Sequence, residues 1–189
     1  DLAAYTQVIN KLNSYHWLGV FDTHTHADHV SAASDVAASL NAPLFMHHEA
    51  LSRKIDLRIC KSTQLASQAG AIKIYLTPGH TPDGVVIEWG PFIFGGDTLL
   101  FGDVGRDDLP GGSAKAHFES LQKLRKHLPA DGILLPGHDH KGGRASSWKH
   151  QLTLNTSLTQ SEASYIEEAE AFNAPAPKLL KEALKENFK

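Results

Sequence analysis

The sequence predicts an α/β fold whose strands carry metal-ligating residues, and three observations predict it. Four short apolar runs each lead straight into His or Asp, stretches with helical spacing lie between and after them, and Gly and Pro mark the changes from one to the other. The first run is Trp17 to Phe21, followed by Asp22-Thr23-His24-Thr25-His26-Ala27-Asp28-His29. The others are Ile72 to Leu76 before Thr77-Pro78-Gly79-His80, Phe92 to Phe94 before Gly95-Gly96-Asp97, and Gly132 to Leu135 before Pro136-Gly137-His138. Strand ends on one edge of a sheet deliver their following loops to one cleft, so ligands distant in sequence converge. The pattern implies a metal-dependent enzyme.

Taken in order, Leu2, Tyr5, Val8, Ile9 and Leu12 have helical spacing. Within the first ligand segment, extended backbone puts His24, His26 and Asp28 on one side and turns His29 away, an arrangement able to serve two neighbouring metal positions. Val30 to Leu40 reads as a helix, ended by Asn41-Ala42-Pro43. Leu44 to Met46 reads as a buried strand, and His47-His48-Glu49 as a solvated loop before a short helix. Residues 56–70 are polar and irregular and are expected to form a loop. Val85 to Trp89 and Phe92 to Phe94 flank Gly90-Pro91, a hairpin signal just ahead of Asp97. From Ala116 onward, Phe118, Leu121, Leu124 and Leu128 predict a helix ended by Pro129 and Gly132, with His117 and His127 on its surface. Ser161 to Phe172 and Pro177 to Phe188 are two amphipathic segments whose charges form solvated faces.

The chain has 189 residues, 41% of them hydrophobic, which suffices for one domain with its own core over residues 1–189. Its formal net charge of -3 gives no basic excess, which excludes a nucleic-acid groove. No apolar run is long enough to span a bilayer and no signal peptide opens the sequence, so the expectation is a cytoplasmic chain with no membrane partner. The lone cysteine, Cys60, forms no intrachain disulfide, and no activating base near it marks it as a nucleophile. Twelve histidines are too many for all to be ligands. Imidazole with carboxylate, and no pair of thiolates, suits zinc or non-heme iron rather than a structural zinc knuckle or an iron–sulfur cluster.

His-x-His-x-Asp-His at positions 24–29, followed by His80, Asp97 and His138, resembles the metallo-β-lactamase superfamily. The segment Gly96 to Leu109, with Pro136-Gly137-His138-Asp139-His140-Lys141-Gly142 and the tail from Asn155 to Phe188, is similar to its persulfide dioxygenase branch, with glyoxalase II as near relative. The resemblance implies an αβ/βα sandwich of two mixed sheets flanked by helices. Relatives carry strands ahead of the first helix, and these are expected to be absent here.

Two ligand assignments follow from the resemblance. In one, His24, His80 and Asp97 hold a single Fe(II), and His26, Asp28, His29 and His138 are outer-sphere groups; the reaction is oxidation of a small thiol persulfide by dioxygen to sulfite and thiol. In the other, two Zn(II) or mixed metals are held by all seven residues, with Asp97 bridging, and a metal-activated water cleaves a thioester, glutathione-linked in the family. A third reading is a metal-binding or interaction module with little turnover. Arg106 matches the Gly-Arg-x-Asp arginine near the carrier thiol, where a guanidinium pairs with a carboxylate, and its alternative is an ion pair with Asp107 or Asp108. His140 stands where the family has tyrosine; with Asp28 it is assigned to catalysis and, with Arg106, to the substrate. The oligomeric state is left open, a homo-oligomer included.

Overall fold

The computed structural model describes Thr6, Gln7, Ile9, residues 15–140 and residues 142–189. Leu2, Tyr5, Val8 and Leu12 of the predicted first helix, and Lys141 of the last ligand segment, lie outside the described residues; Ile9 is helical. The chain divides into two compact units, residues 1–59 with 176–189, and residues 60–175.

The first unit holds a three-stranded sheet of β1 (Val20–Phe21), β2 (Leu44–His47) and β3 (Leu57–Ile59) in that order, every pair parallel among the described residues. The first strand is shorter than predicted: Trp17 to Gly19 are not in it and Leu18 is 52% exposed. What anchors β1 is Phe21 stacked on Phe45 of β2, with ring centroids 4.6 Å apart. Helix α1 (Ala33–Leu40) begins later than predicted and ends on Asn41 in the left-handed conformation. Ala37, Leu44, Met46 and Ala50 form this unit's core. The unit closes with α5 (Leu180–Asn187).

His47 corrects the expected solvated loop, because β2 extends through it and its side chain is buried. Its Nδ1 accepts from the backbone N–H of Glu49 at 3.0 Å, closing a turn rather than starting a helix. His48 and Glu49 are exposed as predicted. The expected loop over 56–70 also gives way, to β3 and to β4 (Thr63–Ser67). β4 is an edge strand whose Gln64 and Ala66 face solvent, so it needs no apolar run, and its turn through Gln68-Ala69 lacks the usual Asn-Gly signal.

The second unit is built on a five-stranded mixed sheet, β4, β5 (Gly70–Leu76), β6 (Val85–Trp89), β7 (Phe92–Gly96) and β8 (Ile133–Pro136), in sequence order. The pairs from β4 to β7 are antiparallel and β7–β8 is parallel. The β6–β7 hairpin turns at Gly90, whose φ of 57° suits glycine. A crossover through α2 (Ala114–His127) makes β8 parallel to β7. Ser113 caps α2 by accepting from Ala116 N, and Arg125, Lys126 and His127 complement its C-terminal dipole. Helices α3 (Trp148–Leu154) and α4 (Glu162–Ala171) complete the unit. Val86, Ile93, Leu121, Leu124 and Leu134 are essentially inaccessible, each contributing roughly 1.5–3 kcal/mol of burial. β5, β7 and β8 therefore project their C-terminal loops from a packed core.

Candidate metal centre

In the second unit, His80, Asp97 and His138 come together. Each stands just beyond the C-terminal end of a strand, β5, β7 and β8. His80 and Asp97 are each 9% exposed. His80 Nδ1 lies 2.5 Å from the Arg106 carbonyl oxygen, which only accepts, so Nδ1 carries a proton and donates. Its Nε2 stands 3.7 Å from Asp97 Oδ2. An imidazole with one nitrogen tied to a carbonyl and the other beside a carboxylate is the arrangement metal-ligating histidines adopt. His138 Nδ1 donates to both Asp97 oxygens, at 2.8 and 2.9 Å.

The close approach depends on glycine at two positions. A Cβ on Gly105 would lie 2.3 Å from the Asp97 carbonyl oxygen and 2.9 Å from His80 Nδ1. One on Gly137 would lie 2.7 Å from Asp97 Oδ1. Gly105 N–H also donates to the Asp97 carbonyl at 2.8 Å, so the chain after β7 folds back onto the residue that ends it.

In the first unit, the loop after β1 gathers the other predicted ligands. One ligand atom from each of His26, Asp28 and His29 lies within 4.8 Å of the others. His24 is buried, and its Nδ1 is 2.9 Å from Thr23 Oγ1. The His26 ring meets those of His24 and His29 at centroid distances of 4.2 Å each. Asp22 accepts from His26 Nε2 at 2.8 Å and from Ser31 Oγ at 2.6 Å. Asn187 Nδ2 donates to the carbonyls of His26 and His29, and its Oδ1 accepts from Ser31 N, all at 2.9 Å. Sequence reasoning gave Asp22, Ser31 and Asn187 no role. Asp22 was legible as the first polar residue after β1, but Asn187 comes from the far end of the chain and gives no local signal.

Arg106 is engaged by its own unit. Nε and Nη2 donate to the two Asp108 oxygens at 2.6 and 2.8 Å, Nη1 to the Pro175 carbonyl at 2.9 Å, and Nη2 to that of Ala174 at 3.0 Å. Its guanidinium also lies over the Phe172 ring, 5.2 Å from the centroid. The hydrogen bond to Asp108 raises the arginine pKa and lowers that of the aspartate. His140 is exposed, its ring nearly parallel to that of His138 with centroids 5.4 Å apart.

His117 overturns the surface expectation: it is fully buried. The signal was present, since His117, Leu121 and Leu124 recur at i, i+4 and i+7 and share the buried stripe of α2. His127 is exposed, as predicted.

The metallo-β-lactamase superfamily model matches residues 18–153. The chain belongs to that superfamily. It has the corresponding fold, with two sheets and their helices, and a His/Asp metal site. It is similar to the mitochondrial persulfide dioxygenase ETHE1 of Mus musculus, 29% identical over 170 residues that cover 89% of this chain and 67% of that protein. A hydroxyacylglutathione hydrolase of Anaeromyxobacter dehalogenans is 30% identical over 122 residues, 64% of this chain and 48% of that one. Among solved structures, ETHE1 from Myxococcus xanthus superposes with a TM-score of 0.90 at 28% identity, over 99% of this chain and 83% of that one. No helix of the described residues is long and apolar enough to cross a membrane.

Proposed function

We propose that this superfamily member is an iron-dependent persulfide dioxygenase in which His24, His80 and Asp97 hold one Fe(II). The observation that carries the reading is the state of Asp97. Both its oxygens accept from His138 Nδ1 while His80 presents Nε2 beside it, so His138 orients a ligating carboxylate. In the first unit His26 Nε2 is tied to Asp22, and in this reading His26 is an outer group that acts by hydrogen bonding. The similarity to ETHE1 proteins supports the same reaction. We take residues 1–189 as one domain, since the family match runs through both units.

Two imidazoles and a carboxylate suit non-heme iron, and iron so held supplies the redox chemistry that joins dioxygen to sulfur. In the overall reaction a thiol persulfide, dioxygen and water give the carrier thiol, sulfite and two protons; dioxygen takes four electrons and the S–S bond breaks. The chain's own part is orientation. The Arg106 carbonyl holds the His80 proton on Nδ1, His138 holds the plane of Asp97, and Asp28, His29 and His140 are proposed to hold water and substrate by hydrogen bonds.

The carrier is proposed to be a small thiol such as glutathione, and Arg106 its anion-binding residue. A carrier carboxylate has to compete there with Asp108, which already takes two donors. The test loads purified chain with Fe(II) without air, counts metal per chain, and follows oxygen uptake with glutathione persulfide. Near one iron per chain and stoichiometric sulfite are expected. Arg106→Ala should raise KM with metal content unchanged, and Arg106→Lys should restore it only partly; an unaltered KM would assign Arg106 to bracing residues 172–175 instead.

The clustered ligand atoms of His26, Asp28 and His29 favour a second reading, a two-metal thioester hydrolase like hydroxyacylglutathione hydrolase. Two zinc-like metals per chain with thioester cleavage and no oxygen uptake would establish it. A chain that binds metal and turns over neither substrate would be the binding module.

A further inference from the structure

The mechanism leaves unused a buried polar cluster of the second unit. His117 Nδ1 lies 2.9 Å from Tyr165 Oη and 3.3 Å from Asp107 Oδ2, and Tyr165 Oη lies 3.1 Å from the same Asp107 oxygen. His117 Nε2 faces the Thr98 carbonyl at 3.3 Å, which requires its proton on that side. His117 is inaccessible and the Asp107 side chain is 8% exposed. Burial, then the charge of Asp107, pushes the Tyr165 pKa upward, so the phenol keeps its proton and donates. Burying a histidine, a carboxylate and a phenol in an apolar core costs more than burying apolar groups of the same shape, so a reason beyond packing is called for.

The covalent geometry supplies one. The carbonyl that accepts from His80 Nδ1 belongs to the peptide between Arg106 and Asp107. That peptide is planar and includes the Asp107 N and Cα, so holding Asp107 in place limits the directions the carbonyl can take. The Asp107 backbone is also closely covered, since a Cβ on Gly112 would lie 2.2 Å from its carbonyl oxygen. We propose that Asp107, held by the Tyr165 hydroxyl beside the buried His117, is a positioning residue that aims the Arg106 carbonyl at His80 and so keeps Nε2 as its metal-ligating atom. The proposal rests on the reading of His80 and Asp97 as metal ligands and assigns them a buried support on α2 and α4.

The test uses Tyr165→Phe, which removes one hydroxyl and keeps the ring, and Asp107→Asn, which keeps shape and removes charge. Nitrogen-15 shifts of His80 in metal-free protein report its tautomer, and Co(II) titration followed by absorbance reports affinity. The wild type should show one tautomer, protonated on Nδ1. The variants should show mixed tautomers and Co(II) affinity lower by about 10 to 100-fold. A lowered melting temperature with the His80 tautomer and Co(II) affinity unchanged would overturn the proposal and leave the cluster as core packing. Should Asp107→Asn fail to fold, Tyr165→Phe decides alone. A wild-type chain that does not bind Co(II) would overturn the metal reading itself, and the positioning role with it.

Discussion

His24, His26, Asp28 and His29 come from six consecutive residues on a loop after a two-residue strand, whereas His80, Asp97 and His138 are delivered by three strands of one five-stranded sheet. The first group is braced by side chains, those of Asp22, Ser31 and Asn187. The second is braced largely by backbone, through the Arg106 carbonyl and the Gly105 N–H, on strands rooted in an apolar core. Side-chain braces are removed one at a time by substitution. Backbone braces are removed only by moving the chain, so the second group should be the more rigid of the two and the more sensitive to added volume.

The largest expected difference lies in metal retention. Asp97→Ala removes the carboxylate proposed as a ligand and should abolish bound metal and activity together. His29→Ala, at an exposed residue whose Nδ1 lies 3.0 Å from Asp28, should keep most of the metal and lower activity by about 10 to 100-fold. Metal analysis of both proteins checks this. Loss of one of two metals from His29→Ala would show that the two groups are equals and favour the hydrolase.

A smaller effect separates the two kinds of brace. The Cβ of Gly105→Ala would meet the Asp97 carbonyl, a backbone atom that cannot swing aside, and overpacking of this kind costs about 1–3 kcal/mol. Asn187→Ala removes three hydrogen bonds, partly replaced by water, and should cost about 1 kcal/mol. Urea midpoints should rank Gly105→Ala as the more damaging. The reverse order would mean that the β1 loop depends on its side chains more heavily than the sheet depends on its turns.

The same contrast explains what the sequence disclosed. The candidate ligands stood out because each combines a metal-binding side chain with a strand end or a compact motif, and β5 to β8 and α2 were legible because apolar residues repeat at their periods. Edge strand β4 was not, since a strand paired on one side exposes every second residue and needs no apolar run. His47 and His117 were misplaced because polarity outweighed position: one continues the buried strand β2, the other the buried stripe of α2. Asn187 and Tyr165 act on residues far from them in sequence, and the reasons for such contacts lie in tertiary packing alone.

The smallest expected effect concerns the two aspartates that hold the loop after β7. Asp107 is held from within by Tyr165, Asp108 from outside by Arg106, in a pair whose side chains are 19% and 30% exposed. The hydrogen bond from Arg106 holds the Asp108 carboxyl below its ordinary pKa. A carboxyl with a lowered folded-state pKa contributes stability above its unfolded value, and that contribution is lost as pH falls through the folded value. Wild type should therefore exceed Asp108→Asn at neutral pH, by about 0.2–1 kcal/mol for a solvent-accessible pair, and the two should converge in strong acid. Added salt should shrink the neutral-pH difference, because exposed charges are screened. Urea unfolding of the two proteins at neutral pH and at successively lower pH checks both. A difference that persists undiminished into strong acid would mean that Asp108 serves through its shape rather than its charge, and that the outer side of the loop is held as firmly as the inner.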